Sequence, residues 1–166
     1  NYGAHEYGVI LRNGALYRTA TTARHLLIVD ANGDLRVRSE REGENPQELG
    51  AQLVEEGALQ TFEFGPELVQ GLVANKLEQA QTWQTFEFGP VLVEDGKAAT
   101  LPSSFYVNCH DGYYEPRTAI GQLGPLHYII VVADGRQDGY SKGMTLQELQ
   151  QVFMFYGAQT AFNLDG

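Results

Sequence analysis

The stretch YIIVVADGRQDGYSKGMTLQELQQVFMFYGAQTAFNLDG, residues 128–166, decides the fold class. Its first six residues are a near-continuous apolar run, which predicts a buried, central strand. DGRQDGYSKG is a loop by its glycines and short polar side chains. MTLQELQQVFMFYGA then carries helical spacing. Thr145 caps it, Glu148 completes a capping box, and Gly157 ends it. Leu146, Leu149, Val152, Phe153 and Tyr156 fall on its apolar face. TAFNLDG closes as a short strand running into a tight turn. Just upstream, in YYEPRTAIGQ (113–122), Pro116 holds Glu115 extended and offers no N–H, and Thr118 to Gly121 begin another strand. Strand, strand, helix and strand in this order imply an α+β domain.

The N-terminal half adds hairpins. In GVILRNGALYR (8–18) two apolar runs flank Asn13-Gly14, a strong short hairpin signal. In HLLIVDANGDLRVRS (25–39), Leu26 to Val29 form a strand, Asn32-Gly33 a turn, and Leu35 and Val37 alternate along the next strand. Asp30, Asn32 and Asp34 read as turn chemistry, since a calcium loop needs more ligands in register. NPQELGAQLVEEGA (45–58) predicts a helix capped by Asn45, with Pro46 in its first turn and Leu49, Leu53 and Val54 as its stripe.

The motif QTFEFGP occurs twice, at 60–66 and 84–90, each followed by a matching Leu-Val pair. A local tandem duplication is the simplest account, too short for a solenoid. After the first copy ELVQGLVANKLEQAQ has helical spacing. After the second, VLVEDGKAA reads as strand, Asp95-Gly96 turn, strand. Only the second copy continues into this strand pattern; the first is expected as an added or edge element. Trp83 and the paired phenylalanines read as core.

Composition narrows the function classes. The 166 residues suit one domain with a single core, and 19 glycines with nine Tyr and eight Phe favour a turn-rich sheet protein. A net charge of −10 argues against nucleic acid as the partner. It leaves room for a small anionic substrate, which needs only one or two placed arginines. Cys109 is the sole cysteine, so no internal disulfide forms. His110-Asp111 lacks further ligands at metal spacing, and neither metal nor cofactor is expected. No apolar run is long enough to span a membrane. The sequence says nothing of oligomeric state.

The polar residues cluster at strand ends, where sites are commonly built. Arg117 and Thr118 begin one strand. Asp134, Gly135 and Arg136 follow another, with Ser141 further along the loop. Asn163, Asp165 and Gly166 end a third. If these strands are neighbours, two arginines and two aspartates meet at one rim. Two guanidiniums can hold a phosphate, the Gly135 and Gly166 N–H groups can add to it, and Asp134 and Asp165 can act as acid, base or nucleophile. Singly, each has an ordinary reading: Asp-Gly pairs as turns, Arg136 as a solvated charge, Arg117 paired with Glu115.

Jointly, EPRTAIGQ (115–122) and residues 128–166 resemble the phosphodiester glycosidase family, whose pattern runs from a Pro-Arg-Thr-Ala-Ile-Gly strand through an Asp-Gly-Arg loop with Ser-x-Gly to a helix and a closing Asn-Leu-Asp-Gly. FEFGPVLVEDGK (86–97) resembles the family's Gly-Pro-x-Leu-Val element, and NYGAHEYGVILRNGALYR (1–18) resembles the region after its N-terminal strand. The family's terminal Gly-Gly-Ser and its preceding Asn-Gly strand have no counterpart, so the expectation is a single domain over 1–166 truncated at both ends. The first TFEFGP copy has no slot in the pattern, and position 115 is Glu where the family more often has another residue.

The resemblance implies an α+β fold with a mixed, mainly antiparallel sheet and a few packed helices. It implies hydrolysis of a sugar-1-phosphodiester at the glycosidic C–O bond, and an extracellular or cell-envelope setting. Asp134 and Asp165 are then the catalytic candidates. Arg117, Thr118, Gly135, Arg136, Ser141, Asn163 and Gly166 are the substrate and phosphate contacts. Two other classes stay open: a phosphodiesterase cutting P–O, and a non-catalytic module binding anionic glycopolymer.

Overall fold

The last strand of the chain, Thr160–Asp165, lies in the middle of its sheet. The computed structural model describes residues 8–13, 15–20, 25–38, 45, 48–49, 51–53, 82–102 and 112–165. The first TFEFGP copy with the segment after it, Cys109, His110, Asp111 and Gly166 lie outside these residues. So do the side chain of Trp83 and the end of the 45–58 segment.

In chain order the strands are β1 (Gly8–Arg12), β2 (Ala15–Ala20), β3 (His25–Asp30), β4 (Leu35–Arg38), β5 (Thr82–Phe88), β6 (Val91–Glu94), β7 (Lys97–Ala98), β8 (Arg117–Gly124) and β9 (His127–Ala133). Helix α1 (Leu146–Phe155) and strand β10 (Thr160–Asp165) follow. β1 and β2 form a hairpin, β4-β3-β5 a three-stranded sheet, and β7-β6-β10-β8-β9 a five-stranded sheet. Every pairing among the described residues is antiparallel. The protein is therefore α+β, with helices packed on antiparallel sheets.

The elements stack in layers because alternate strand residues face opposite ways. On one face of the five-stranded sheet, Leu92, Val93, Ala119 and Ala161 pack against Leu146, Leu149 and Phe153 of α1. On the other, Val91, Phe162 and Ile120 meet Leu27, Val29, Leu35 and Val37 of the three-stranded sheet. The far side of β3, Leu26 and Ile28, packs with Leu11, Leu49 and Leu53. Residues 48–49 and 51–53 are helical, and the Asn45 side chain accepts from the Glu48 N–H at 3.4 Å.

Local signals hold where neighbouring residues set them. Asn13 takes φ +52° between β1 and β2, and Asp95-Gly96, both at positive φ, joins β6 to β7. The Asp30 carboxylate accepts the Asn32 and Asp34 N–H groups at 2.9 and 3.0 Å, which makes it turn chemistry. Thr145 and Glu148 form the full capping box. The second TFEFGP copy ends in β5, in the three-stranded sheet, and its continuation VLVE enters the five-stranded sheet as β6.

Three expectations are corrected. β9 is the end strand of its sheet among the described residues, not a central one, and Ile130 and Val132 are 66% and 69% exposed. Its other face, Ile129 and Val131, packs against the α1 core, so the apolar run covers only one buried face. Tyr156 is exposed rather than on the buried face of α1, because the helix has turned through its C-cap there. Of the Phe86–Phe88 pair, Phe88 packs in the core while Phe86 is exposed, with the Arg12 guanidinium 4.9 Å above its ring.

Candidate active site

Antiparallel pairing brings the polar strand ends together. Arg117 at the start of β8 pairs with Ala133 at the end of β9, and Thr118 pairs with Asp165 at the end of β10. Arg117, Asp134 and Asp165 therefore share one rim of the five-stranded sheet.

At that rim the loop from 134 to 143 is pinned to the strand entry. A Cβ on Gly135 would stand 2.5 Å from the Pro116 nitrogen, and one on Gly143, at φ +105°, would overlap the Glu115 backbone. Only glycine lets both ends of the loop close on Glu115-Pro116. Glu115 also exchanges two backbone hydrogen bonds with Met144, at 3.2 and 2.9 Å. Its carboxylate is buried and receives Arg136 Nε at 2.6 Å and Nη2 at 2.5 Å on one oxygen. Arg136 takes φ +56°, a strained backbone for a residue with a Cβ, held by that charge-assisted pair.

Arg117 is 1% exposed and donates Nε to the Met144 carbonyl at 3.1 Å and Nη2 to the Tyr113 carbonyl at 3.3 Å. It ties the entry of β8 to the residue before the Thr145 cap. Asn163 is fully buried on β10 opposite Ala119, and its amide donates to the Gly89 carbonyl at 2.9 Å. Its Oδ1 has no hydrogen-bond partner among the described residues. A buried acceptor without a donor costs about 1–3 kcal/mol.

Asp134 is exposed, and its Oδ2 accepts the Tyr140 hydroxyl at 3.3 Å. The Ser141 hydroxyl donates to the Asp134 carbonyl at 2.6 Å and accepts the Gly143 N–H at 3.3 Å, which braces the loop internally. Arg136 and Ser141 line a cleft of about 540 Å³ whose walls include Tyr114 and Tyr140. Arg117, Thr118, Asp134, Gly135, Asn163 and Asp165 do not line this cleft. Asp165 is exposed at the end of β10. The pairing of Glu115 with Arg136 and the two tyrosines of the cleft escape sequence reasoning. The signal for the first is a glycine on each side of the loop that must close on residue 115.

The geometry defines an α+β module with arginines and carboxylates at one sheet rim. The model of the phosphodiester glycosidase family matches residues 1–166, and the chain belongs to that family. The catalytic domain of zebrafish N-acetylglucosamine-1-phosphodiester alpha-N-acetylglucosaminidase, auto-inhibited by its pro-peptide, is similar in fold, with TM-score 0.56 and 19% identity. The match covers 96% of this chain and 45% of that one, so the chain spans less than half of that structure. A hypothetical protein from Synechocystis matches at TM-score 0.40 and 18% identity, over 86% of this chain and 28% of that one. No curated protein matches the chain. Among the described residues no helix is long and apolar enough to cross a membrane, and no cluster of three or more metal-ligating residues occurs.

Proposed function

We propose that the protein hydrolyses a sugar-1-phosphodiester at its glycosidic C–O bond, outside the cell or in the cell envelope. The supporting observation is the loop from 134 to 143, pinned on Glu115 so that Arg136 and Ser141 line one open cleft, with Asp134 hydrogen-bonded to Tyr140 and Ser141 at its side. In the reaction water adds to the anomeric carbon and the bond to the phosphate oxygen breaks. The sugar leaves with the new hydroxyl, the phosphomonoester keeps the bridging oxygen, and the water proton passes to a carboxylate. A phosphate leaving group needs charge neutralisation more than a strong acid, and a guanidinium supplies that as charge develops.

Arg136 is one of two exposed cations of the cleft, with Lys142, and the first contact for the phosphate. Arg117, buried beneath the rim, holds the β8 entry and the α1 cap in register and adds positive potential from behind. Asp134, beside the cleft, is the first candidate for base or nucleophile, and Asp165 across the rim the second. Thr118, the Gly135 and Gly166 N–H groups, Ser141 and Asn163 complete the proposed polar surround.

The test is sugar release from a sugar-1-phosphodiester, beside binding of inorganic phosphate. Asp134→Asn or Asp165→Asn is expected to keep phosphate binding and lose turnover by about 100-fold or more, because an amide is neither base nor nucleophile. Arg136→Ala is expected to weaken both. Phosphate binding with no sugar release from the intact protein favours the glycopolymer-binding module instead.

A further inference from the structure

The cleft beside Asp134 has features that the phosphate chemistry leaves unused. Two tyrosines from distant parts of the chain form its walls. Tyr114 comes from the entry to β8 and Tyr140 from the tip of the 134–143 loop. Both are exposed, Tyr140 at 74%. Burying tyrosine rings normally stabilises a fold, so two rings left open across one cleft are available to a ligand.

Both rings have partners. The Lys142 ammonium stands 3.6 Å from the centre of the Tyr114 ring, a cation–π contact that covers one face. The Tyr140 hydroxyl donates to the Asp134 carboxylate in a long surface contact of 3.3 Å, which orients the ring weakly. The backbone under Tyr140 is fixed as well. Gln137 and Ser141 pair through N–H donors at 2.9 and 3.0 Å, and the Tyr140 N–H donates to the Gln137 carbonyl at 3.1 Å. Gln137 and Asp138 line the same cleft, an amide and a carboxylate suited to ligand hydroxyls. The volume, about 540 Å³, falls within the usual range for small-ligand sites, roughly 300–1,000 Å³.

A flat apolar face flanked by hydroxyl-binding groups matches a pyranose ring, which carries C–H bonds on its faces and hydroxyls around its edge. We infer that Tyr140 and Tyr114 form a sugar subsite in which a pyranose ring of the substrate stacks on Tyr140 while Gln137 and Asp138 bind its hydroxyls. The choice of a sugar rests on the phosphodiester glycosidase reading; the geometry of the cleft does not. Tyr140 thereby links recognition to chemistry, because the ring under the sugar is hydrogen-bonded to the candidate catalytic carboxylate.

The test is equilibrium binding of N-acetylglucosamine and of methyl glucoside to the intact protein, followed by saturation-transfer NMR and tyrosine fluorescence, with no turnover required. Tyr140→Ala is expected to weaken sugar binding about tenfold or more, since it removes a central aromatic contact. Tyr140→Phe keeps the ring and is expected to stay within about threefold, because only the exposed hydroxyl contact is lost. An exposed side chain makes both variants safe for folding. Sugar binding unchanged in Tyr140→Ala, or no binding of either sugar by the wild type, would overturn the inference. Sugar binding that depends on Tyr140 without release of sugar from any phosphodiester would sink the proposed reaction and leave the subsite standing.

Discussion

Arg136 and Glu115 are locked together: the guanidinium places Nε at 2.6 Å and Nη2 at 2.5 Å from one oxygen of a buried carboxylate. The pair joins the loop after β9 to the entry of β8. It also means that the cation proposed to meet phosphate already has an anionic partner. An arriving phosphate must share Arg136 with Glu115 through the remaining guanidinium N–H groups.

Glu115→Gln separates these two roles. Losing the charge is expected to cost about 1 kcal/mol in urea unfolding, at the low end for charged pairs because the Arg136 side chain is 60% exposed. The freed guanidinium is expected to raise affinity for inorganic phosphate about three- to tenfold, measured by calorimetry. Reduced stability with unchanged phosphate affinity would show that Arg136 is a structural tie alone.

Gly143→Ala tests the pinning of the loop. A Cβ there would stand 2.5 Å from the Glu115 carbonyl carbon and 2.8 Å from its nitrogen, at φ +105°. The expected loss in chemical denaturation is about 2 kcal/mol or more. Gly139→Ala serves as the comparison. It sits at φ +75° with nothing within 4 Å of the added carbon, and about 1 kcal/mol of backbone strain is expected. Equal losses at the two positions would mean that the close approach to Glu115 contributes nothing.

The α1 capping box should give the protein an acid-sensitive step. The Thr145 N–H, 2.8 Å from the Glu148 carboxylate, holds that group below its ordinary value of 4.5. A depressed folded pKa stabilises fully above the unfolded value and is lost as pH falls through the folded one. Glu148→Gln is therefore expected to melt below wild type at neutral pH, with the gap closing as pH drops beneath about 4.5. A gap independent of pH would place the effect in packing instead.

Much of the architecture is legible in short segments. The Asn13 and Asp95-Gly96 turns and the Thr145–Glu148 box depend on residues a few positions apart, so their chemistry is complete within the motif. Strand order is not local. The run 128–133 looks central because an apolar strand reads the same whether one face is covered or two. The centre instead goes to β10, which pairs with β6 and β8 and arrives last in the chain. The shared rim of Arg117, Asp134 and Asp165 follows from motif order once antiparallel pairing is assumed. Which arginine pairs with Glu115 does not follow. Arg117, two residues away, is turned to carbonyls of Tyr113 and Met144, while the carboxylate goes to Arg136 across the loop.

The central claim is tested most directly by the fate of solvent oxygen. The intact protein is given a sugar-1-phosphodiester in water enriched in heavy oxygen, and the products are read by mass spectrometry. Attack at the anomeric carbon is expected to put the label in the released sugar and leave the phosphomonoester unlabelled. Label in a phosphoryl product, with sugar phosphate and free alcohol formed, would contradict the account and assign the rim to P–O cleavage.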